Sequence, residues 1–96
     1  MSQSEANSSA LSIPILTRTQ VAEQIMNRLA GRIADTRLSG WAFDHFYRLE
    51  LGEEQPESGY EELLEHVLDE LMFADDPQFR MDDSALRALV TRLGEV

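Results

Sequence analysis

His45 and His66 are the only imidazoles in the chain, and both lie among carboxylates. Glu62 and His66 are four apart, so on a helix they share a face and could hold a cation between them. Asp69 on the same segment, or Asp44 beside His45, could add ligands. Di-metal carboxylate bundles, however, take a Glu-x-x-His pair from each of two helices, and this chain has Glu-x-x-x-His once. The plainer reading is two histidines beside surface carboxylates, with no metal or cofactor assigned. General acid–base chemistry needs two carboxylates held apart in differently tuned surroundings, whereas the carboxylates here are crowded. The chain has no cysteine and only five glycines, which form no phosphate-cradling loop. Its serines cluster near the N-terminus, far in sequence from either histidine. No catalytic set emerges, and the chain reads as a non-enzyme.

What the chain has in quantity is negative charge. Thirteen acids and a single base, Arg80, lie between Glu50 and Asp83, while the whole chain carries −10. Residues 16 to 49 are near neutral, with five arginines against three acids. An amphipathic helix is expected inside the acidic block, so the charge belongs to a folded surface. The bland reading of such a block is solubility. The functional one is a negative lobe that steers and holds a basic protein. Glu53, Glu54, Glu61, Glu62, Glu65, Asp69, Asp75 and Asp76 are its candidate contacts.

Four of the seven aromatics, Trp41, Phe43, Phe46 and Tyr47, crowd into one short stretch. They cannot all fit one narrow helical stripe. Trp41 and Phe46 are expected to face the core. Phe43 or Tyr47 is then left at the surface as an anchor, since aromatics dominate interface energetics.

Four helices are expected to position these groups. Thr17 and Gln20 form a capping box at the start of the first, and Leu16 and Val21 its hydrophobic staple. Val21, Ala22, Ile25, Met26 and Leu29 follow as its apolar stripe, and Gly31 stops it. The second begins near Asp35 and carries Leu38, Trp41, Ala42 and Leu49. An acidic loop from Gly52 to Glu57 leads to the third, for which Ser58 and Glu61 form a second capping box. Tyr60, Leu63, Leu64, Val67, Leu68, Leu71 and Met72 recur at helical spacing there, with Glu61, Glu62, Glu65, Asp69 and Glu70 opposite. Ala74 to Pro77 ends it. Asp82 or Asp83 caps a short fourth helix striped by Leu86, Leu89, Val90 and Leu93 and stopped by Gly94. No repeat and no sustained alternation is present. The expected fold class is all-α: a small bundle of about four helices over residues 16–96, preceded by a flexible polar leader over residues 1–15.

Composition narrows the function classes further. At 43% apolar residues the chain can build a core. The folded part, about 80 residues, hides about 60% of its unfolded-chain surface, which makes dimerisation an accessible source of stability. No apolar run approaches the roughly 18–20 residues of a membrane span. The N-terminal residues lack the basic start and apolar centre of a signal peptide, so the expected location is the cytoplasm. The negative charge opposes direct binding of nucleic acid or anionic lipid.

One local pattern is familiar. Leu29-Ala30-Gly31-Arg32-Ile33, then Leu38, then Trp41-Ala42, resembles a set of small bacterial all-helical proteins with a capped first helix, a Gly-Arg-Ile turn and a second helix bearing Trp-Ala. Some of them are immunity-protein-like. The resemblance covers residues 16–50 and implies architecture more than activity. In that pattern a serine after the isoleucine caps the second helix. Ala34 stands there in this chain, so capping is expected to pass to Asp35. Small size, acidity and four helices also resemble the nuclease-colicin immunity proteins as a class, without their central Asp-Ser motif or paired tyrosines.

These observations point to a non-catalytic acidic protein-binding module, in its most concrete form an immunity or antitoxin-type inhibitor of a basic bacterial protein. It would use Phe43 or Tyr47 together with the acidic residues. A homodimer whose helices complete each other's core is the alternative, and a small metal enzyme centred on Glu62, His66 and Asp69 a third.

Overall fold

Thr17 sets where the first helix begins. In the computed structural model, which describes residues 13–94, its hydroxyl accepts the Gln20 N–H at 3.2 Å while the Gln20 side chain accepts the Thr17 N–H at 3.0 Å. Both halves of the capping box are therefore closed, and helix α1 runs Arg18–Leu29. Leu16 and Val21, the staple pair, are both fully buried. Gly31 adopts φ +80, and Arg32 N–H reaches back to the Asn27 carbonyl at 2.8 Å. This left-handed exit satisfies carbonyls the helix end would otherwise leave open.

Helix α2 spans Asp35–Glu50 and has Ala34 as its N-cap, with no side-chain cap bond. The expected cap at Asp35 is not formed. Asp35 is the first helical residue, and its carboxylate is drawn off by Arg28 and by Arg80, the latter at 3.4 Å. Two arginines compete better for a carboxylate than one backbone N–H, and the acid still lies at the favourable end of the helix dipole.

Helix α3 spans Glu61–Leu71, and its start also differs from expectation. Ser58 does not cap it. Gly59 at φ +87 and a turn from Tyr60 N–H to the Glu57 carbonyl (3.0 Å) separate Ser58 from the helix, which begins with Tyr60 in the cap position. Tyr60 is also not part of the apolar stripe. It lies at the surface beneath the Arg18 guanidinium, 3.8 Å from its ring centroid. Helix α4, Asp83–Leu93, is capped as expected: Asp82 accepts the Ala85 N–H at 2.8 Å and Gly94 closes the helix at φ +78.

Helix α1 packs along α4, and α2 along α3. Arg28 near the end of α1 faces Asp83 at the start of α4 (3.8 Å), so that pair runs antiparallel. Ser39 early in α2 donates to the Met72 carbonyl just past α3 (2.5 Å), so the second pair does too. The core draws on all four helices, with Leu16 and Ala74 added from the flanking segments. Trp41 and Phe46 pack against it from α2, as expected.

Two residues of parallel strand tie the segment before α1 to the loop between α2 and α3. Strand β1, Ile15–Leu16, pairs with β2, Gln55–Pro56, in the loop after α2. Gln55 N–H donates to the Pro14 carbonyl (3.0 Å) and Glu57 N–H to that of Leu16 (2.9 Å). Pro14 and Ile15 thus belong to the fold and not to a flexible leader; residues 1–12 of that expected leader lie outside the described residues. Among the described residues no helix is long and apolar enough to cross a membrane.

Candidate functional site

The buried stripe of α3 (Leu64, Val67, Leu68, Leu71) dictates what faces outward. At 3.6 residues per turn, positions 62, 65, 66 and 69 form one ridge on the opposite side. Glu62, Glu65, His66 and Asp69 are all exposed there. Because α2 runs antiparallel alongside, Phe46 comes to lie next to this ridge. These five residues line a shallow pocket of about 280 Å³. Phe46 is half-buried against the core and forms the apolar floor; the carboxylates stand around it.

From the pocket, ring contacts lead outward along α2. Phe46 meets Tyr47 edge-on at 6.0 Å, and Tyr47 meets Phe43 at 4.8 Å. Phe43 and Tyr47 are each 49% exposed, so both, not one, are at the surface. Two half-exposed rings spaced i, i+4 make a rigid apolar shelf beside the acids.

Ion pairing separates the acids into two groups. Asp35 and Asp83 are taken by Arg28, with Arg80 adding to Asp35. Arg18 holds Glu57 through both Nε and Nη2 at 3.1 Å, and its backbone N–H adds a third bond at 2.9 Å. That guanidinium and N–H together hold the Glu57 carboxyl below the usual carboxylate range. The hydrogen bond that Arg28 donates to the Asp35 carboxylate raises Arg28 above the ordinary arginine value, against the opposing effect of burial. Glu70 is shared by His66 at 2.6 Å and Arg92 at 3.5 Å. Glu61, Glu62, Glu65, Asp69, Asp75 and Asp76, by contrast, make no ion pair among the described residues.

The remaining expected contacts divide. Glu54 is withdrawn from the acidic surface: it is 7% exposed, with its carboxylate 2.7 Å from His45 Nδ1. Trp41 backs the same imidazole, ring centroids 4.3 Å apart. A buried carboxylate needs a partner, and the loop after α2 folds back to bring Glu54 to His45 on that helix. Glu53 remains exposed in that loop. Glu61 is exposed at the start of α3, its carboxylate near the Gly59 N–H (3.4 Å) and turned away from the ridge. Asp75 is exposed and Asp76 half-buried in the turns beyond α3, where Asp76 accepts the Gln78 N–H at 2.8 Å. The structure therefore gathers Glu62, Glu65 and Asp69 around Phe46, and Phe43 and Tyr47 beside them. Glu53, Glu61, Asp75 and Asp76 stand at the margins.

The proposed ligands Glu62, His66 and Asp69 do share the ridge, but His66 Nε2 is committed to Glu70. Among the described residues no group of three or more histidine and acidic side chains is arranged to hold a metal ion.

A second aromatic pair escaped sequence reasoning. Phe73 and Phe79, 45% and 60% exposed, face each other at 5.9 Å across the turns after α3. Phe73 was readable, since it follows Asp69 by four residues and so continues the ridge. Phe79 lies outside any helical period and gave no such signal. Comparison with protein families, with curated proteins and with solved structures finds no match to this chain.

Proposed function

We propose that this chain is a non-catalytic acidic module that binds a basic protein, and that the α3 ridge with its Phe46 floor is the centre of the contact. The observation carrying this reading is that Glu62, Glu65 and Asp69 converge on one apolar-floored pocket and make no ion pair among the described residues, while Arg18, Arg28, Arg80 and Arg92 pair with other acids. Carboxylates held close to one another repel, and a cationic side chain removes that repulsion. The Phe43–Tyr47 shelf supplies apolar area next to it, as interfaces require. The concrete version is an immunity- or antitoxin-type inhibitor acting in the cytoplasm on a basic toxin or nuclease.

The test is a pull-down from the source cell at low salt, eluted with rising salt. A specific partner should be basic, and its affinity should fall steeply as ionic strength rises. The triple variant Glu62→Gln/Glu65→Gln/Asp69→Asn should lose it, while Glu23→Gln on α1 should not. A partner retained equally at high salt, or by the triple variant, would sink the reading.

The exposed Phe43–Tyr47 pair also favours a homodimer joined through α2. The chain's −10 charge and the acids flanking that shelf oppose it. Light scattering at low concentration decides: a monomer removes the dimer reading.

A further inference from the structure

The groove between Phe73 and Phe79 has a volume of about 390 Å³, and Met81, Asp69 and Glu70 complete its lining. That is at the small end of ligand pockets, roughly 300–1,000 Å³, so it suits one or two side chains better than a large cofactor. Its walls are fixed. Asp76 N–H bonds the Phe73 carbonyl and Phe79 N–H that of Asp76, both at 3.0 Å. Buried Ala74 pins one end of the segment, and the Arg80–Asp35 pair with core-packed Met81 pins the other. The two rings are thus held open to solvent by an ordered backbone, where burying either would be worth far more than leaving it wet.

Charge identifies the occupant. Asp69 belongs to both the groove and the Phe46 pocket, so the two are one continuous surface. Along it, Glu62, Glu65 and Asp69 lead in steps of three and four residues to Phe73, about 16 Å from first to last at 1.5 Å per residue. Glu70 on the rim already has His66 and Arg92, which leaves Asp69 as the charge at the groove's mouth with no ion pair among the described residues. A second copy of this chain would bring like charge against that line.

We infer that this groove is the anchor site for a basic amphipathic helix of the partner, one that places a leucine- or phenylalanine-sized side chain between Phe73 and Phe79 and sets Arg or Lys about one, two and three turns away, against Asp69, Glu65 and Glu62. This rests on the proposed basic-partner reading and adds where its apolar anchor goes. The groove supplies affinity that salt does not screen; the ridge supplies orientation and on-rate.

Three synthetic helical peptides of equal length test it, titrated by fluorescence anisotropy against the full chain. One carries Arg with Leu anchors, one the same Arg with Ser in place of Leu, and one Glu with the Leu anchors. The Arg/Leu peptide should bind roughly tenfold or more tighter than Arg/Ser, the scale of one buried apolar side chain. Phe73→Ser/Phe79→Ser should erase that difference and keep the salt dependence, with an unchanged circular dichroism spectrum showing that the fold persists. Phe79→Ser alone, the more exposed ring, should erase most of it if the double variant fails to fold. Equal, salt-sensitive binding of both Arg peptides overturns the groove alone. Absence of salt-sensitive binding by either overturns the basic-partner reading as well. Equal binding of Glu/Leu, or concentration-dependent dimers abolished by the Phe79→Ser variant, overturns the charge argument that chose the occupant.

Discussion

Two parts of this small fold handle charge in opposite ways. At the corner where α1 ends and α2 and α4 begin, Arg28, Asp35, Arg80 and Asp83 neutralise one another across four chain segments. On the α3 ridge, Glu62, Glu65 and Asp69 stand together and make no ion pair among the described residues. The chain has eight arginines. Their placement, more than their number, decides which carboxylates become structural and which stay available. Arg28 and Arg80 converge on the partly buried Asp35, and Arg18 on Glu57, whereas Arg92 reaches only Glu70 at the ridge's edge. One region thus uses opposite charges to fix how helices meet. The other concentrates like charge beside apolar rings, the arrangement on which the proposed recognition of a basic partner rests.

The sharpest way to break this contrast is at its structural end. Asp35→Ala leaves Arg28 with only Asp83 at 3.8 Å and Arg80 with no carboxylate among the described residues. Hydrogen bonds to charged groups contribute about 1.5–3 kcal/mol each, less where solvent reaches them, so a loss of about 1–3 kcal/mol is expected in urea unfolding. An unchanged unfolding midpoint would mean that the corner merely decorates the surface.

A smaller effect is expected at Glu57, and its sign follows from the direction of its shift. Arg18 depresses the folded-state carboxyl relative to the unfolded chain. The stabilisation is therefore present above the ordinary glutamate range and is lost as pH falls through the lower folded value. Glu57→Gln should be less stable than the parent chain near neutrality and should lose less on acidification. Parallel stability–pH curves for the two proteins would remove Arg18–Glu57 from the structural group of ion pairs.

What was legible in the sequence divides along similar lines. Signals contained within a few residues came through: the Thr17–Gln20 box, the Asp82 cap, the Gly31 and Gly94 stops, and the α3 stripe of Leu64, Val67, Leu68 and Leu71 are all realised. Ser58 misled because a capping box is a spacing rule, and a left-handed Gly59 shifts the helix start past it. Glu54 misled for a longer-range reason. Its neighbours in sequence are solvated acids, but the loop's return over α2 delivers it to His45, nine residues earlier. The ridge was readable because it is the complement of a strongly periodic apolar face. The Phe73–Phe79 groove depends on how non-helical turns set one ring against another, which no periodicity encodes.

The smallest expected change in stability tests the other half of the contrast. Glu62, Glu65 and Asp69 are spaced i, i+3 and i+7 on an exposed ridge, where like charges destabilise a helix by tenths of a kcal/mol per pair. Replacing all three with their amides removes the repulsion and, among the described residues, breaks no ion pair. The lost dipole interaction of Glu62 in the first turn offsets that relief, so the unfolding free energy should shift by no more than about 0.5 kcal/mol. The same variant is the one expected to lose a basic partner. A loss of binding with almost no change in stability is hard to produce from a residue that holds the fold together and easy to produce from one held ready for a ligand. A drop of more than about 1 kcal/mol, well outside the range for ordinary surface substitutions, would place the ridge with the Asp35 corner as part of the scaffold and leave the aromatic shelf without its electrostatic neighbour.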